Sequence, residues 1–476
     1  MELKPSSFHI RPIDKAFEAG PDLGLLERVF AARGVRESEE LDRKLGHLLS
    51  PDLLDDINLA AERLVSAILA DELVLIVGDY DADGATATVL AVSLLQALGC
   101  KRVDFLVPDR FEFGYGLSEE IVTLAANRNP DVIVTVDNGI SSAPGVEAAN
   151  VLGIDVIITD HHLPSKNLPA AAAIVNPNKH QCGFPSKNLA GVGVVFYLLG
   201  KVRGLLEKKD WFKSRQRPNI ADWLDLVALG TIADVVTLDR NNRILVDQGL
   251  RRIRAGRTRP GIKALCEVSG KDLASIKGSD LGFSLGPRLN AAGRLDDMTI
   301  GIKCLLEEDL ELANKYAKQL DKLNKSRREI ESAMVKDAEL ILAGLNDVEI
   351  DQNGICIFDS GWHQGVVGIL AGRLKDRFYR PVIAFAPAGS GSPGELKGSA
   401  RSIPNFHIRD TLDAIAARYP GMISKFGGHA MAAGITLKRI NYERFAKAFD
   451  DQVRTTILPE LLEQKVYTDG ELDLHE

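Results

Sequence analysis

The sequence predicts an α/β fold in which a parallel-sheet domain is joined by a long helix to a smaller α/β domain. Three observations lead to this prediction. In the first half of the chain, four apolar segments rich in Val and Ile alternate with helical segments. A long stretch without proline then precedes a second segment with β character. Finally, a chain of 476 residues is too long for one ordinary core, so two or more domains are expected.

The four apolar segments have the composition of strands that are buried on both faces. They are near-continuous apolar runs, which is typical of a parallel sheet covered by helices. Helical segments lie between them, so the pattern is one of repeated βα units. The segments are LVLIVGD at 73–79, KRVDFLVPD at 101–109, DVIVTVDNG at 131–139 and IDVIITDHH at 154–162.

The second half of the chain predicts the connecting helix and the smaller domain. Residues 307–345 contain one glycine, near their end, and no proline, so we expect a single long helix there. The smaller α/β domain begins at GICIFDSGW, and glycine-rich loops are expected in it at 361–372, 390–398 and 427–434. The final KVYTDGELDLHE includes a predicted strand, which is either an edge strand of the smaller domain or the opening of a further unit.

The composition excludes several classes of protein. With 45% hydrophobic and 26% charged residues, the chain belongs with soluble globular proteins. No apolar run approaches the length of a membrane span, and the N-terminus lacks the apolar core of a signal peptide, so we expect a cytoplasmic location. The five cysteines never occur as CxxC, which indicates reduced thiols and argues against a structural zinc site.

The net charge of −8 argues only weakly against a nucleic-acid partner, because phosphate contacts need no more than a local basic face. Two basic clusters could provide one: LRRIRAGRTRP at 250–260, and KVRGLLEKKDWFKSRQR at 201–217. A solvated surface explains each cluster equally well.

Polar side chains follow each of the four predicted strands. In an open parallel sheet, ligands bind at the carboxyl ends of the strands, near a switch in strand order. The side chains at these ends are Asp79, Asp81, Asp83, Arg110, Asp137, Asn138, Asp160, His161 and His162. Taken alone, Asp83 and Gly84 could be no more than a helix cap, but a cap does not explain acids and imidazoles at several strand ends.

Crowded carboxylates raise one another's pKa, and bound divalent cations remove that repulsion. Oxygen ligands with one or two imidazoles suit Mn²⁺ and also Mg²⁺. Two such ions about 3.5–4 Å apart are a common arrangement for phosphoryl chemistry. The residues alone therefore indicate a phosphoesterase or phosphohydrolase that uses two metal ions.

The motifs GDYDADG, VDNG and DHH, in this order and at these strand ends, resemble the DHH phosphoesterase superfamily. Four further motifs resemble, within it, the bacterial exonucleases that degrade single-stranded DNA from the 5′ end. They are GPRLNAAGRL at 286–295, GWHQGVVGILAGRL at 361–374, GSARSI at 398–403 and FGGHAMAAG at 426–434. The resemblance covers nearly all of the chain from about residue 73 onward.

The resemblance implies two-metal hydrolysis of single-stranded DNA to 5′-mononucleotides, in DNA repair and recombination. It implies a substrate with a 5′ end, a single-strand-binding protein and a helicase as partners, and a monomer. It also names the segments. They are a DHH catalytic domain with an N-terminal extension at 1–306, the connecting helix at 307–345, a DHH-associated substrate-binding domain at 346–466, and the start of an OB-fold at 467–476.

The resemblance further implies a set of metal ligands and catalytic residues. The ligands are Asp79, Asp81, Asp83, Asp137, His161 and Asp234. Asp137 would bridge both ions, and His162 would contact the scissile phosphate or protonate the leaving oxygen. By its context alone, Asp234 would be an ordinary acid flanking a helix. Small-substrate members have a histidine where this chain has Val77, and Asp79 is the candidate replacement ligand.

Substrate contacts are implied as well. Ser399 and Arg401, in a predicted loop, resemble the pocket for the 5′-phosphate, together with Arg110. The remaining predicted contacts are Tyr115, which could stack on a base, Arg288, Asn290 and Arg294, which would line the DNA channel, and His429 in a glycine-rich turn. Salt bridges between domains could instead explain the arginines of GPRLNAAGR, and His429 could be a structural histidine.

Two other functions fit the motifs less well. One is a small-substrate DHH phosphoesterase acting on oligoribonucleotides or nucleotide phosphates, but such chains are generally shorter and lack the GPRLNAAGR region. The other is a replication scaffold without catalysis, which the nearly complete ligand set disfavours.

Overall fold

A computed structural model describes residues 7–12, 24–109, 113, 116–165, 167–343, 352–389 and 392–471 of the chain. Contacts divide the chain into two units. The first unit is residues 38–325, and the second combines the described residues before 38 with those after 325. The predicted α/β class, parallel sheet, second smaller domain and long connecting helix are confirmed.

The strands and helices are numbered in chain order. The strands are β1 (Ser7–Ile10), β2 (Val74–Gly78), β3 (Val103–Leu106), β4 (Val132–Val136), β5 (Asp155–Thr159), β6 (Ala173–Val175), β7 (Ile355–Phe358), β8 (Val382–Pro387), β9 (Glu395–Arg401), β10 (Lys425–Gly428), β11 (Ala432–Lys438) and β12 (Lys465–Thr468). The α-helices are α1 (Leu25–Ala31), α2 (Ile57–Ala70), α3 (Ala82–Ala97), α4 (Glu119–Ala126), α5 (Ala143–Val151), α6 (Gly191–Lys208), α7 (Leu224–Ala233), α8 (Arg240–Arg254), α9 (Pro260–Val268), α10 (Gly278–Asp280), α11 (Gly286–Leu295), α12 (Thr299–Leu306), α13 (Leu310–Ala343), α14 (Val367–Phe378), α15 (Ile408–Arg418) and α16 (Tyr442–Thr456).

Several shorter helical segments lie between these elements. The segment Leu281–Leu285, between α10 and α11, is π-helical. Turns of 3₁₀ helix occur at Ser38–Leu41, Leu45–His47, Pro51–Leu53, Trp211–Ser214, Ile220–Trp223, Leu273–Ser275, Arg439–Asn441 and Pro459–Leu462. Within the described part of the chain, no helix is both long and apolar enough to cross a lipid bilayer.

The first unit contains a five-stranded parallel sheet in the order β3-β2-β4-β5-β6. Its first four strands in sequence are the four predicted apolar segments. After β3 the chain crosses to the other side of β2 to form β4, so the order switches between β2 and β4. The crossovers diverge at such a switch and leave a crevice at the carboxyl ends of the two strands.

Both faces of this sheet are covered, which explains why its strands are continuously apolar. Side chains alternate along a strand, so Val74 and Ile76 of β2 join the core formed with α2, α3, α6 and α7. Leu75 and Val77 point to the opposite side and join a second core with α4 and α5. All residues of β2 and β4 are buried as a result.

The second unit contains a sheet in the order β10-β11-β9-β8-β7, in which only β7 and β8 are parallel. Each glycine-rich loop predicted in this region is present but shorter than expected, because α14 starts at Val367, β9 at Glu395 and β11 at Ala432. Residues 390 and 391 lie outside the described residues. Gly398 shows the physical reason, since a Cβ there would come within 2.4 Å of the Phe385 ring. Gly398 therefore allows close packing within a strand and does not form a turn.

The chain segment before residue 38 associates with the second unit, although the sequence placed it with the first domain. Strand β1 pairs in parallel with β12, and Asp469 accepts hydrogen bonds from Arg33 at 3.0 and 2.9 Å. Helix α13 runs from one unit into the other, within the predicted 307–345. The OB-fold predicted from 467 onward stays a prediction, because residues 472–476 lie outside the described residues.

Candidate metal centre

The loop after β2 is shaped by one of its own carboxylates. Oδ1 of Asp81 accepts hydrogen bonds from the backbone N–H groups of Asp83 and Gly84, at 2.9 and 3.0 Å, and so caps α3. The helix cap suggested by the sequence is therefore Asp81. Asp79 and Asp83 are only 7% and 1% exposed, so the loop holds two buried carboxylates.

The first turn of α6 fixes the Asp83 carboxylate. Its oxygens accept hydrogen bonds from the N–H groups of Gly191, at 2.6 Å, and Val192, at 3.0 Å. These are unsatisfied donors at the positive end of an 18-residue helix, which favours the ionised carboxylate. A Cβ at Gly191 would lie 2.6 Å from the Asp137 side chain, so only glycine lets α6 approach this closely.

Asp137 follows β4 in a left-handed backbone conformation, with φ of 63°. The next residue, Asn138, donates from its side-chain amide to the carbonyls of Val77, at 3.1 Å, and Val136, at 3.0 Å. This amide ties the carboxyl ends of β2 and β4 together at the switch in strand order. The carboxylates of the two strand ends are thereby held at the same edge of the sheet.

Asp160 organises the histidine pair that follows β5. It is fully buried, and its Oδ1 accepts from the His161 and His162 N–H groups, at 2.7 and 3.0 Å, and from Nδ1 of His162, at 2.7 Å. The carbonyls of the same histidines accept from the side-chain amides of Asn178, at 2.6 Å, and Asn176, at 2.9 Å. These asparagines were not among the residues predicted from the sequence, although the Asn-Pro-Asn motif that contains them is a usable signal for a turn.

The predicted metal ligands converge in the first unit. Three groups of side chains each place one ligand atom per residue within 4.8 Å of the others. The groups are Asp79, Asp81 and Asp137; Asp83, His161 and Asp234; and Asp137, His161 and His162. They contain all six residues named as ligands from the sequence, including Asp234, which follows α7.

His161 tests whether this cluster suits a cation. Its Nε2 lies 3.1 Å from Oδ1 of Asp137 and 3.5 Å from Oδ2 of Asp234. The nitrogen is buried and makes no hydrogen bond within the described part of the chain. A buried imidazole nitrogen facing two carboxylates is a donor set for a divalent cation such as Mn²⁺. The residues therefore fit the metal that the sequence predicts.

The carboxylates resist ionising together. Burial, followed by the charge of Asp81, raises the pKa of Asp83 to about 7. Burial and the charges of Asp83 and Asp81 raise the pKa of Asp234 to about 9, and the same causes raise the pKa of Asp137 well above its ordinary value. Cations would remove this repulsion.

The two adjacent histidines are driven to opposite protonation states. Burial, together with the charge of His162, lowers the pKa of His161 to about 4, which leaves a neutral ring able to bind a metal. Burial alone would lower the pKa of His162, but the hydrogen bond to Asp160 and the charges of Asp160, Asp79 and Asp234 together outweigh burial and raise it to about 9. His162 is therefore a cation near neutral pH. Opposed pKa shifts of this kind separate a ligand from a proton donor.

The predicted substrate contacts of the second unit form their own group. Ser399 and Arg401 lie in strand β9, so the predicted loop is wrong; both point to the face where α14 begins. Nη1 of Arg401 donates to Oγ of Ser399 at 3.1 Å, and a Cβ at Gly368 would meet both side chains, at 3.1 and 3.2 Å. His429 lies in the turn between β10 and β11, where its N–H donates to Ala432.

The residues of the first unit that were predicted to contact DNA have other surroundings. Arg110 and Tyr115 lie outside the described residues. Arg288 forms an ion pair with Asp321 at 2.8 Å, so the salt-bridge explanation applies to it. Both residues belong to the first unit, so this salt bridge does not join two domains. Arg294 lies in the last turn of α11. Oδ1 of Asn290 accepts a hydrogen bond from the N–H of Ala82, at 2.7 Å.

Each basic cluster places one arginine in a packing contact, while most of its Lys and Arg side chains are exposed. The Trp211 ring is stacked by Arg215, whose guanidinium carbon lies 3.8 Å from the ring centroid, and its Nε1 donates to the Leu98 carbonyl. In the other cluster, Arg259 pairs with the buried Asp225. Trp211 is therefore occupied by the protein itself rather than available to a base.

Known proteins are similar to this chain in sequence and in fold. The N-terminal domain of the DHH family matches residues 73–231, and the DHHA1 domain matches residues 351–455. The chain is 52% identical over 466 residues to the single-stranded-DNA-specific exonuclease RecJ of Escherichia coli strain K12. The matched region covers 97% of this chain and 80% of that protein.

Two solved structures are similar over nearly the whole chain. One is a crystal structure of RecJ in complex with Mn²⁺ from Thermus thermophilus, with a TM-score of 0.79 and 29% identity over 97% of this chain. The other contains RecJ from the same organism in complex with Mg²⁺, with a TM-score of 0.73 and 27% identity over 98% of this chain. This chain spans 64% and 63% of those chains, respectively.

Asp137→Asn should stabilise the metal-free protein while removing its response to metal. Because the pKa of Asp137 is raised in the folded protein, the folded state loses stability as pH rises above the pKa that Asp137 has in the unfolded chain. Asn carries no charge, so it avoids this loss of stability, and it tolerates the φ of 63° at this position. We expect a higher Tm at pH 7 without metal, by about 1–2 °C for each kcal/mol of repulsion removed in a unit of this size. Thermal melts with and without Mn²⁺ measure both effects.

The exposed Asp451 on α16 provides the matched control for this experiment. Asp451→Asn should melt like the wild type and keep the full rise in Tm with Mn²⁺. A full Mn²⁺-induced rise in Asp137→Asn would contradict the assignment of Asp137 as a ligand.

Mn²⁺ affinity should increase with pH. Metal binding must displace protons from Asp83 and Asp234, whose pKa values are raised to about 7 and about 9. Affinity should therefore rise between pH 6 and pH 9, by up to about tenfold per pH unit for each proton released. Calorimetric titrations in buffers of different ionisation enthalpy would detect the proton release. A flat or falling profile would show that these acids are not displaced by metal.

Proposed function

Since the chain belongs to the RecJ family of DHH phosphoesterases, we infer that it is a single-stranded-DNA-specific exonuclease dependent on Mn²⁺ or Mg²⁺. It degrades the strand from its 5′ end to 5′-mononucleotides. The observation that carries this proposal is the convergence of six acidic and imidazole ligands at the switch in strand order. Its setting is DNA repair and recombination in the cytoplasm, as a monomer, with a single-strand-binding protein and a helicase as partners.

The ligand groups support hydrolysis of a phosphodiester. Bound Mn²⁺ or Mg²⁺ supplies positive charge that polarises the scissile phosphate and makes an attacking water more acidic. Asp79, Asp81, Asp83, Asp137, His161 and Asp234 are the residues that would hold it. The neutral ring of His161 is suited to this role because its nitrogen lone pair is available.

His162 serves the substrate. Its Nδ1 is bonded to Asp160 and its ring is protonated, so Nε2–H is the donor directed away from Asp160. It can bond a nonbridging oxygen of the scissile phosphate or give its proton to the 3′-oxygen as that oxygen leaves. Asp160 holds the ring orientation and the charge that this role requires.

The second unit offers a phosphate site for the 5′ end. Ser399, Arg401 and the first turn of α14 combine a hydroxyl, a guanidinium and helix N–H donors, which suit a terminal phosphate. Arg110, Tyr115, Arg294 and His429 remain proposed contacts of the DNA strand. Arg288 and Asn290 are better explained as structural supports of α11 and of the loop after β2.

Digestion of end-labelled strands tests the proposed activity. With Mn²⁺ or Mg²⁺, a 5′-phosphorylated single strand should be shortened from its 5′ end and release 5′-mononucleotides, whereas duplex DNA should be resistant. Removing the metal with EDTA should abolish cleavage. Hydrolysis of dinucleotides but not of long strands would favour the small-substrate phosphoesterase, and cleavage of neither would favour the scaffold.

Asp160→Asn should reduce catalysis without removing the metal. Asn keeps the shape of the acceptor but not the charge that holds His162 protonated. We expect kcat to fall by about 10²-fold or more, as for loss of a general acid, with a Kd for Mn²⁺ close to the wild-type value. Single-turnover rates and metal titrations would separate the two quantities. A large loss of Mn²⁺ affinity would instead make Asp160 part of the metal site.

A further inference from the structure

Helix α11 contacts the metal-binding loop directly. The side chain of Asn290 bonds the N–H of Ala82 at 2.7 Å, between the ligands Asp81 and Asp83. A backbone N–H can only donate, so the atom that faces it is the amide oxygen. The oxygen of this amide is therefore used inside the protein, although the sequence predicted a contact with DNA.

Gly293 brings the same helix against the other side of Asp81. A Cβ at this position would lie 1.8 Å from the carbonyl oxygen of Tyr80 and 3.0 Å from its carbonyl carbon. No side chain can be accommodated without moving the helix or the loop. Residues three apart share one face of a helix, so Asn290 and Gly293 hold the peptides on both sides of Asp81.

The helix itself is anchored. Arg288 pairs with Asp321 of α13 at 2.8 Å, and its Nη1 donates to the carbonyl of Ser284, at 2.6 Å. The side chains of Arg288 and Asp321 are only 12% and 13% exposed, so this pair is partly shielded from solvent and salt. A π-helical segment, Leu281–Leu285, immediately precedes α11, and such segments are frequent at functional sites.

We propose that Asn290 is a positioning residue for the metal centre and that, with Gly293, it fixes the loop that carries Asp79, Asp81 and Asp83. Asn290 acts through the backbone of Ala82 and touches neither metal nor DNA. The inference rests on the metal site of the proposed nuclease. Its readout is metal affinity in the absence of DNA, so it can fail while the nuclease assignment stands.

Mn²⁺ titrations of Asn290 variants without DNA give the test. Asn290→Leu removes the acceptor and should raise the Kd for Mn²⁺ by about tenfold or more, as other supports of metal ligands do. Asn290→Asp keeps an oxygen for Ala82 but loses the amide donor, and because its added negative charge attracts cations, its Kd should not rise. A DNA-contacting Asn290 predicts the reverse: unchanged Kd in both variants and an equally raised KM for single-stranded DNA.

Gly293→Ala gives an independent test of the same contact. The added methyl should displace α11 or the loop and raise the Kd for Mn²⁺ by a similar factor. Gly204→Ala is the matched control, because Gly204 lies inside α6 with nothing within 4 Å of a Cβ. Asn150→Ala is the control for loss of an amide hydrogen bond, here from the Asn150 side chain on α5 to the Ala170 carbonyl. Both controls should bind Mn²⁺ as the wild type does.

Circular dichroism and Tm identify variants that fail to fold. If Asn290→Leu does, Asn290→Ser replaces it, because the shorter side chain places its oxygen out of reach of Ala82. Unchanged Mn²⁺ affinity in a folded Asn290 variant lacking the acceptor, together with unchanged affinity in Gly293→Ala, would overturn the proposal.

Discussion

The mutual repulsion of buried carboxylates is the constraint on which the first unit depends. Asp83 and Asp137 are almost fully buried, and the charge of Asp83 raises the pKa of both Asp137 and Asp234. Such a cluster is stable only where other parts of the protein hold the acids in place and a cation can compensate their charge. The switch between β2 and β4 supplies the space, and the first turn of α6 supplies N–H donors to Asp83.

The supports of this cluster are largely backbone groups. Asp81 bonds the backbone of its own loop, Asp83 the backbone of α6, and Asp160 the backbone of the two histidines. Backbone donors have few ways to move, so they fix the acids at little further cost in entropy. Close approach of backbone requires small residues, which explains glycines at 191 and 293, where a Cβ would meet Asp137 or Tyr80.

The sequence is informative wherever a local pattern determines the structure. Continuous apolar runs predict β2 to β5, and the acids and histidines at their ends include most of the residues that converge on the candidate metal centre. The strand β6, of three residues, is too short to give such a pattern. The loop predicted for Ser399 and Arg401 was wrong because a glycine such as Gly398 is typical of turns. Here, pairing with β8 and β11 makes this segment a strand. The role of Asn290 depends on a hydrogen bond to Ala82, which lies 208 positions away in the sequence, and no local sequence pattern indicates such a contact.

The pairing of β1 with β12 has a consequence for the order in which the protein can fold. The second unit needs chain segments from both ends of the sequence, whereas the first unit is one continuous stretch between them. During synthesis, residues 38–325 can fold while the ribosome is still translating the rest. Ser7–Ile10 is synthesised before the first unit, yet it cannot pair until Lys465–Thr468 has been synthesised after that unit. The nascent chain thus completes its metal-binding unit before it completes the other.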